Sequence, residues 1–511
     1  MNAVPRQRGQ VMPMTLLFIG AILLACWVLY DTGALLSDRM RLQNTADNVA
    51  YSTAGLVARD LNFIAYTNRA MVANQVAIAQ MVGLSAWGAS MEQFGRNANT
   101  IGQFIPGINA ITGSVQAGAT ANRQAIDQAA AVLIPLNQQV IRLLSDVQQL
   151  FHQSVVLQLS PFSADIGRRN DPDARALMAA GDYSLTEAAA LLATWDELIG
   201  AQNRLHPVGT GDADGALDNR RYREFETIVS ESRDPFSRNR SYRWGYPFSA
   251  TWGAGLEIRT RTQKYGGSDF IRSVDPADDT YRWDWAAMDT VSQYVRFCIN
   301  LALGRECWSL PEIPMAWGAA HALDESQSGV TRFDYGFTRD RRDRHRWGDG
   351  AWRNRAAATA LLSSANPNPV SGDHVHHRIG TLQGLKPFHA FRDEQPRHRG
   401  PSITTLFIKD EADINSQRTL FASTGGTVAD PLDARSAGGL AGGRVGAAAK
   451  AEVYFMRPTD LDGWRRDDRR VEYGNLYNPF WQARLVDLSD HEKLTASAIV
   501  SDGEVSAGIT E

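Results

Sequence analysis

Residues 6–31 read RQRGQVMPMTLLFIGAILLACWVLYD, and this stretch decides how the rest of the chain is interpreted. The twenty residues from Val11 to Tyr30 carry no charge, so as a helix they can cross a hydrocarbon core of about 30 Å. Arg6 and Arg8 precede this run, and Asp31 is the first charge after it. The asymmetry predicts a cytoplasmic N-terminus and an extracytoplasmic remainder.

The apolar run has four possible roles: a cleaved export signal, a lipoprotein leader, a permanent anchor or a pilin-type N-terminus. An export signal has an apolar core of about 7–15 residues and a small-residue cleavage site, whereas this run is longer and ends in WVLYDTGALL. The tetrapeptide before Trp27, LLAC, is similar to a lipoprotein box, but the residues after Cys26 stay apolar. We therefore expect cytoplasmic residues 1–10 and a transmembrane helix over 11–30.

The helix is predicted to continue beyond the membrane. Residues 38–94 contain no proline and are rich in Ala, Leu, Met and Gln, all of which favour helix. Small and apolar residues recur at helical spacing: Leu42, Ala46, Val49, Ala50, Thr53, Leu56 and Val57. Met71, Val76, Ile78 and Val82 follow the same spacing less strictly. A membrane helix that continues into an amphipathic helix is the arrangement of a pilin-type first helix.

Three segments carry a resemblance to a known family. RQRGQ with its apolar run, RLQNTADNVAYSTA at 41–54 and NFIAYTNRAMVANQVAIAQ at 62–80 resemble the N-terminal region of TadE/TadG-like proteins of bacterial Flp (tight-adherence, Tad) pilus assembly. The similarity covers about residues 5–95. It is looser at GLKPFHAFRD, KAEVYFMRP and NLYNPFWQARL. It implies a single-pass inner-membrane protein with a periplasmic bulk, whose partners are other pilus-assembly proteins or pilins.

The processing site of pilins is only partly present. Pilin precursors are cut after a glycine and carry a glutamate five residues further on. Gly9 and Gln10 provide the leader-like junction, but the fifth residue is Met14, and no carboxylate occurs between Gly9 and Asp31. The sequence therefore favours an anchored assembly protein. A minor pilin or adhesin that is cleaved after Gly9 and enters the fibre is the alternative.

Residues 31–205 are predicted to form a helical, partly coiled-coil stalk. We expect a connection over 95–125, and a third helix over about 173–203. Between them lies a heptad seam, which either packs within the chain or seats a partner's helix; we expect it in the chain's own core. The seam residues are Leu133, Leu136, Val140, Leu143, Val147, Leu150 and Leu157, with Ser154 in one position.

A β-rich head is predicted at 241–495, after a linker over 206–240, so the fold class is α+β. Period-two alternation predicts strands at 256–262 and 281–285, and further strands are expected at 403–409 and 451–456. Met288–Leu301 is interpreted as a helix. A Gly/Ala-rich loop at 424–449 and a flexible tail at 496–511 complete the prediction.

No motif predicts catalysis, a metal or a cofactor. The chain contains no G-x-S-x-G, H-E-x-x-H, P-loop or dinucleotide-binding pattern. Two clusters are considered. Asp212, Asp214 and Asp218 are interpreted as a solvated surface turn, and no fourth metal ligand can be assigned beside the histidines His374, His376 and His377. The second cluster supports the remaining alternative, a membrane-tethered metal-dependent hydrolase.

The charge of the chain bears on its class of binding partner, and its cysteines bear on its compartment. The net charge of −4 gives no indication of nucleic acid as a partner. Because catalytic motifs are missing, we expect no small-molecule substrate either. One local basic run either contacts polyanions or forms a solvated face that pairs with its own Asp residues, and the latter is favoured; its arginines include Arg341, Arg342, Arg344 and Arg346. Cys298 and Cys307 are nine positions apart and could form a disulfide in an oxidising compartment.

Overall fold

The computed structural model describes residues 11–104, 109–178, 198–199, 213–252, 256–275, 280–301, 304–324, 353–364, 377–382, 385–391, 399–410, 413–414, 444–458, 466 and 468–502. These residues divide into two units. The first comprises 1–65, 150–197 and 393–511, and the second comprises 66–149 and 198–392. Two long helices contribute residues to both units, and each unit has its own sheet.

The predicted α+β class is confirmed, with a long apolar helix first and a β-rich region after it. The helices are α1 (Val11–Gly102), α2 (Asn109–Asn170), α3 (Ala213–Glu231), α4 (Pro235–Arg238), α5 (Arg355–Ser364) and α6 (Asp490–Asp502). The strands are β1 (Arg175–Met178), β2 (Leu198–Ile199), β3 (Tyr242–Trp252), β4 (Leu256–Asp275), β5 (Thr280–Leu301), β6 (Gly304–Ser309), β7 (Ile313–Asp324), β8 (His377–Leu382), β9 (Phe388–His389), β10 (Arg399–Asp410), β11 (Arg444–Phe455) and β12 (Trp481–Val486).

The connection predicted over 95–125 is wrong, because α1 extends to Gly102 and α2 begins at Asn109. The glycines that suggested a loop serve helix packing instead. A Cβ added to Gly95 would lie 2.9 Å from the Cα of Gln116, so only glycine allows α1 and α2 to approach this closely. Glu92 of α1 accepts hydrogen bonds from Arg123 and Thr120 of α2 and fastens the same pair of helices.

The first unit contains an antiparallel sheet in the order β1-β10-β11-β12. One face of α1 is fully buried in this unit through Leu42, Ala46, Val49 and other residues of the predicted stripe. Thr405 of β10 donates its hydroxyl to the carbonyl of Ala46. The buried Lys409 ammonium lies 3.4 Å from Asp38 of α1 and 3.5 Å from Asp171, which neutralises charges that would otherwise destabilise the core.

Three predictions for this unit need correction. The third helix expected over 173–203 is wrong where it is described, since Arg175–Met178 forms strand β1, which pairs with β10. The loop expected over 424–449 ends before Arg444, where β11 begins. The tail expected over 496–511 is helical through Asp502, because a reciprocal capping box of Ser489 and Glu492 starts α6.

The second unit contains a sheet in the order β3-β4-β5-β7-β8, with β6 paired to β5. Only the β7–β8 pair is parallel, among the pairs of this sheet. The short strands β2 and β9 form a separate pair. Trp285 of β5 is fully buried and donates its indole N–H to Gln75 of α1, which joins the helix to the sheet.

The four strands predicted for the chain are confirmed, since they lie in β4, β5, β10 and β11. Two predictions for the second unit are wrong. Met288–Leu301 belongs to strand β5, and it pairs with β4 from Met288 to Ile299. The first five residues of this segment, 288–292, are all buried, so the alternation of a half-exposed strand is missing there and the pattern imitates a helix. The linker expected over 206–240 is largely α3 and α4, and residues 206–212 lie outside the described part.

Candidate interaction surfaces

The beginning of α1 presents apolar side chains that nothing in its unit covers. Val11, Leu17 and Leu29 are more than seven-tenths exposed, and Cys26 is an exposed free thiol. By length and composition this segment is a helix that could cross a membrane. Exposed apolar surface on this scale indicates burial in lipid or against other protein.

Most of the predicted site residues lie outside the described part of the chain. These are Gly9, Gln10, Asp212, His374, His376, Arg341, Arg342, Arg344 and Arg346. Asp214 and Asp218 lie on helix α3, so the surface turn expected there is wrong. Among the described residues, no group of His, Cys, Asp and Glu could hold a metal ion.

Cys298 and Cys307 face each other in the hairpin of β5 and β6. They occupy directly opposed positions of the antiparallel pair, and their sulfur atoms are 2.14 Å apart, the arrangement of a disulfide. Cys298 is buried in the sheet of the second unit. The bond therefore joins the edge strand β6 covalently to the central strand β5.

A buried ion cluster holds β4 and β5 to the loop that precedes β3. The Asp289 carboxylate is fully buried and accepts hydrogen bonds from Arg240, at 2.9 Å, and from Lys264. Burial lowers the pKa of Lys264, and the Asp289 carboxylate opposes that effect. Arg240 also donates to the backbone carbonyl of Gly267, so every member has protein partners. The cluster is inaccessible and acts structurally.

An arginine-lined groove lies on the surface of the second sheet. Its volume is about 550 Å³. The arginines come from three neighbouring strands: Arg243 from β3, Arg259 and Arg261 from β4, and Arg296 from β5. Arg259 and Arg296 are directly opposed across the ladder, where like charges repel. Among the described residues, no carboxylate pairs with Arg243, Arg261 or Arg296, so the groove favours an anionic group from outside.

Tyr294 lines this groove. The Arg261 guanidinium lies 5.4 Å from the centre of its ring, a cation–π contact that holds the arginine in place. Burial and the neighbouring Glu312 carboxylate raise the pKa of Tyr294 to about 12, so its hydroxyl stays neutral. The sequence signal was the alternation of Arg259 and Arg261 in β4. The contributions of β3 and β5 depend on strand register and were missed.

The heptad seam of α2 is exposed, which contradicts its expected place in the core. Leu136, Leu143, Leu150 and Leu157 are 56%, 62%, 66% and 77% exposed. The face of α2 that its own chain buries is another one, which carries Ile134, Ile141, Gln148 and Val155 at seven-residue spacing. Its polar members make specific hydrogen bonds: Ser145 donates to the carbonyl of Pro387, and Gln148 accepts from the N–H of His389.

These features define a class of chain: one apolar helix that could span a membrane, followed by β-rich structure with exposed interaction surfaces. Residues 9–57 match the Tad family model, which is described as Flp pilus-assembly TadE/G-like. The predicted resemblance is confirmed over these residues. No curated protein and no solved structure matches the chain. The looser resemblance of 384–393, 450–458 and 475–485 stays a prediction.

Proposed function

We propose that the chain is a membrane-anchored, non-enzymatic component of Flp/Tad-type pilus assembly that acts through protein–protein contacts outside the cytoplasm. One observation carries the proposal: the Tad match at 9–57 coincides with the exposed apolar start of α1. Among the described residues, the apolar start of α1, the arginine-lined groove and the α2 seam are exposed and suit contacts with other proteins or lipid. The charge clusters around Asp289 and Lys409 are buried and stabilise the fold.

The proposed topology has the N-terminus in the cytoplasm and the remainder in the periplasm of the bacterial cell. Arg6 and Arg8 before the apolar run and Asp31 after it support this orientation. The opposed Cys298 and Cys307 support it as well, because a disulfide persists in an oxidising compartment and is reduced in the cytosol.

The arginine-lined groove is the contact site that we assign to this function. Arg259 is paired with Glu257, which leaves the guanidinium groups of Arg243, Arg261 and Arg296 for a carboxylate-bearing segment. A guanidinium can bind a carboxylate through two parallel hydrogen bonds. We infer an acidic segment of another pilus-assembly protein or pilin as the ligand. The polyanion face predicted around Arg341 lies outside the described residues and stays a prediction.

The experiment compares a deletion strain complemented with the full chain or with a variant whose residues 9–30 are exchanged for an unrelated single-span helix. The exchange keeps an anchor but removes the apolar half of the Tad match. We expect surface pili with the full chain and a loss of pili, at equal protein level in the membrane, with the exchange. Wild-type piliation of the uncomplemented deletion strain would refute the role.

Intact-mass measurement separates the anchored protein from a minor pilin. The anchored protein retains Arg6 and stays in the membrane fraction, whereas a pilin cleaved after Gly9 begins at Gln10 and is found in sheared fibres. The metal-dependent hydrolase makes a different prediction, since the purified protein would then contain stoichiometric metal that is lost on His374→Ala with His376→Ala.

A further inference from the structure

Helix α2 has a regular heptad pattern on the face that its own chain leaves open. With position a at Leu133, the d positions are all leucine: Leu136, Leu143, Leu150 and Leu157. The a positions after Leu133 are Val140, Val147 and Ser154. All the apolar members are more than one-third exposed.

The exposed seam is distinct from the face that holds α2 in the fold. The b and f positions carry the buried residues, including Ile134 and Ile141 at b and Ser145 and His152 at f. His152 hydrogen-bonds the buried Asp60 carboxylate of α1 at 2.7 Å. Because b and f lie on roughly the opposite side of a helix from a and d, docking of α2 within the chain leaves the a/d seam free for another helix.

The area of the seam matches that of a protein interface. Its seven apolar side chains leave roughly 700 Å² of surface exposed, close to the about 800 Å² that each partner buries in an interface of standard size. On a monomer the largest apolar patch normally covers about 300–600 Å². A continuous leucine row of this size is therefore expected to be covered.

We propose that the seam of α2 pairs with the same seam of a second copy of this chain, as a parallel two-stranded coiled coil. Valine at a and leucine at d is the combination that favours two parallel strands, because these side chains fit the a-layers and d-layers of a dimer. In parallel register each layer meets its own counterpart, so Ser154 faces Ser154 and no polar group meets leucine. The proposal goes beyond the pilus-assembly role, and only its parallel orientation draws on the proposed membrane anchor.

The flanking positions favour a second copy over an acidic or basic partner helix. The e and g positions that border the seam carry a single charge between Asn137 and Gln158, that of Asp146. Charges at the e and g positions set the choice of partner helix and its orientation. Because such charges are nearly absent, the self-complementary a and d layers determine the partner. Two copies that are anchored in one membrane would have the same orientation, which suits a parallel pair.

Cysteine cross-linking in the full-length chain tests this arrangement. With Cys26→Ser as the background, Leu136→Cys and Leu143→Cys place thiols at d positions. We expect oxidation of membranes to link each variant to itself and to give a product of twice the chain mass. Arg142→Cys is the matched control, because Arg142 is exposed at position c of the same turn and its thiols would point away from the partner.

A charge substitution supplies a second, independent readout. Leu136→Glu with Leu143→Glu changes exposed side chains only, so the fold is retained while the dimer dissociates. Mass measurement of the detergent-solubilised chain is expected to fall from two copies to one, with at least a tenfold weaker association. Arg142→Glu should leave the mass at two copies. Far-UV circular dichroism verifies that both variants fold.

Several results would overturn the proposal. They are a wild-type mass of one copy, a cross-linked product that contains a different protein, or cross-links of Leu136→Cys to Leu150→Cys in place of like to like. Protection of Leu143→Cys from maleimide in a one-copy species would also overturn it, because the seam would then be covered by the chain itself. Like-to-like links and a two-copy mass together would establish it.

Discussion

Asn62, in the middle of α1, pairs with both backbone groups of Trp481 at the start of β12. Its amide Nδ2 donates to the Trp481 carbonyl at 2.8 Å, and its Oδ1 accepts from the Trp481 N–H at 2.9 Å. The side chain thus replaces the next strand at the free edge of the first sheet. A helix residue satisfies both backbone groups of one residue of an edge strand, whose open groups otherwise are a template for aggregation.

Asn62→Ala is expected to destabilise the first unit by about 1–3 kcal/mol, because two backbone groups at the Trp481 edge lose their partner. Urea-induced unfolding of the full chain measures the change. Asn74→Ala is the matched control: Asn74 lies on the same helix but donates only to the Ala70 carbonyl of its own turn. An equal effect of both variants would show that the contact with Trp481 contributes nothing specific.

Asp289→Asn is expected to be among the most destabilising single changes in the second unit, at about 3–5 kcal/mol. It leaves Arg240 and Lys264 buried without their counter-charge. Thermal unfolding detects the loss. Asp165→Asn breaks an exposed ion pair with Arg169 and should cost less than about 1 kcal/mol, so a similar loss in both would contradict the argument from burial.

The docking of α6 is expected to depend on acidic pH through Glu492. Burial alone would raise the pKa of Glu492, but hydrogen bonds from Lys450 and Ser489 outweigh it and bring the pKa to about 2. Since the folded-state pKa is below the ordinary value of 4.5, the stabilisation is complete above pH 4.5 and is lost as the pH falls toward 2.

Hydrogen exchange of the α6 amides follows this dependence. Their protection should decline between pH 4.5 and 2 in the wild type. In Glu492→Gln it should be weaker at neutral pH and should vary less over that range. A wild-type profile that parallels the variant's would show that the contacts of Glu492 do not hold α6.

Thiol counting tests the compartment together with the hairpin bond. The chain has three cysteines, so alkylation of the denatured membrane protein should modify one thiol without reductant and three after reduction. Three reactive thiols before reduction would mean that Cys298 and Cys307 are not joined in the cell. Cys26→Ser should bring the unreduced count to zero, which identifies the free thiol.

The groove arginines should control binding of an acidic probe. Arg243→Glu with Arg296→Glu is expected to weaken binding of a glutamate-rich peptide at least tenfold, about 1.4 kcal/mol, and to lessen its salt dependence. Arg142→Glu reverses an exposed charge on α2, away from the groove, and should leave affinity unchanged. Equal loss in both would indicate a response to net charge only.

The parts of the fold that local pattern determines could be predicted from the sequence. The stripe of α1 that begins at Leu42 is regular, and the alternation from Leu256 to Thr262 is that of a half-exposed strand. Met288–Leu301 was mistaken because its state is decided by strands on either side, which a local window does not contain. The groove was missed for a related reason: register alone brings Arg296 opposite Arg259.

The seam of α2 shows a different limit. The regular spacing of the leucines identified this row, and we expected it in the core. The chain instead buries the face that carries Ser145 and Gln148. These two side chains form hydrogen bonds with the backbone of Pro387 and His389, which require a specific geometry. Hydrophobicity ranks faces by transfer free energy. It does not identify which polar side chains will find backbone partners elsewhere in the chain.

The unbroken course of α1 has a mechanical consequence. From Val11 to Gly102 the helix has no interruption, and its only proline, Pro13, lies in the first turn. A rotation or axial pull on the apolar end is therefore transmitted along the backbone hydrogen bonds to Asn62 without a hinge to absorb it. The helix that would hold the chain in a bilayer is also the helix that binds the edge strand of the first sheet through Asn62.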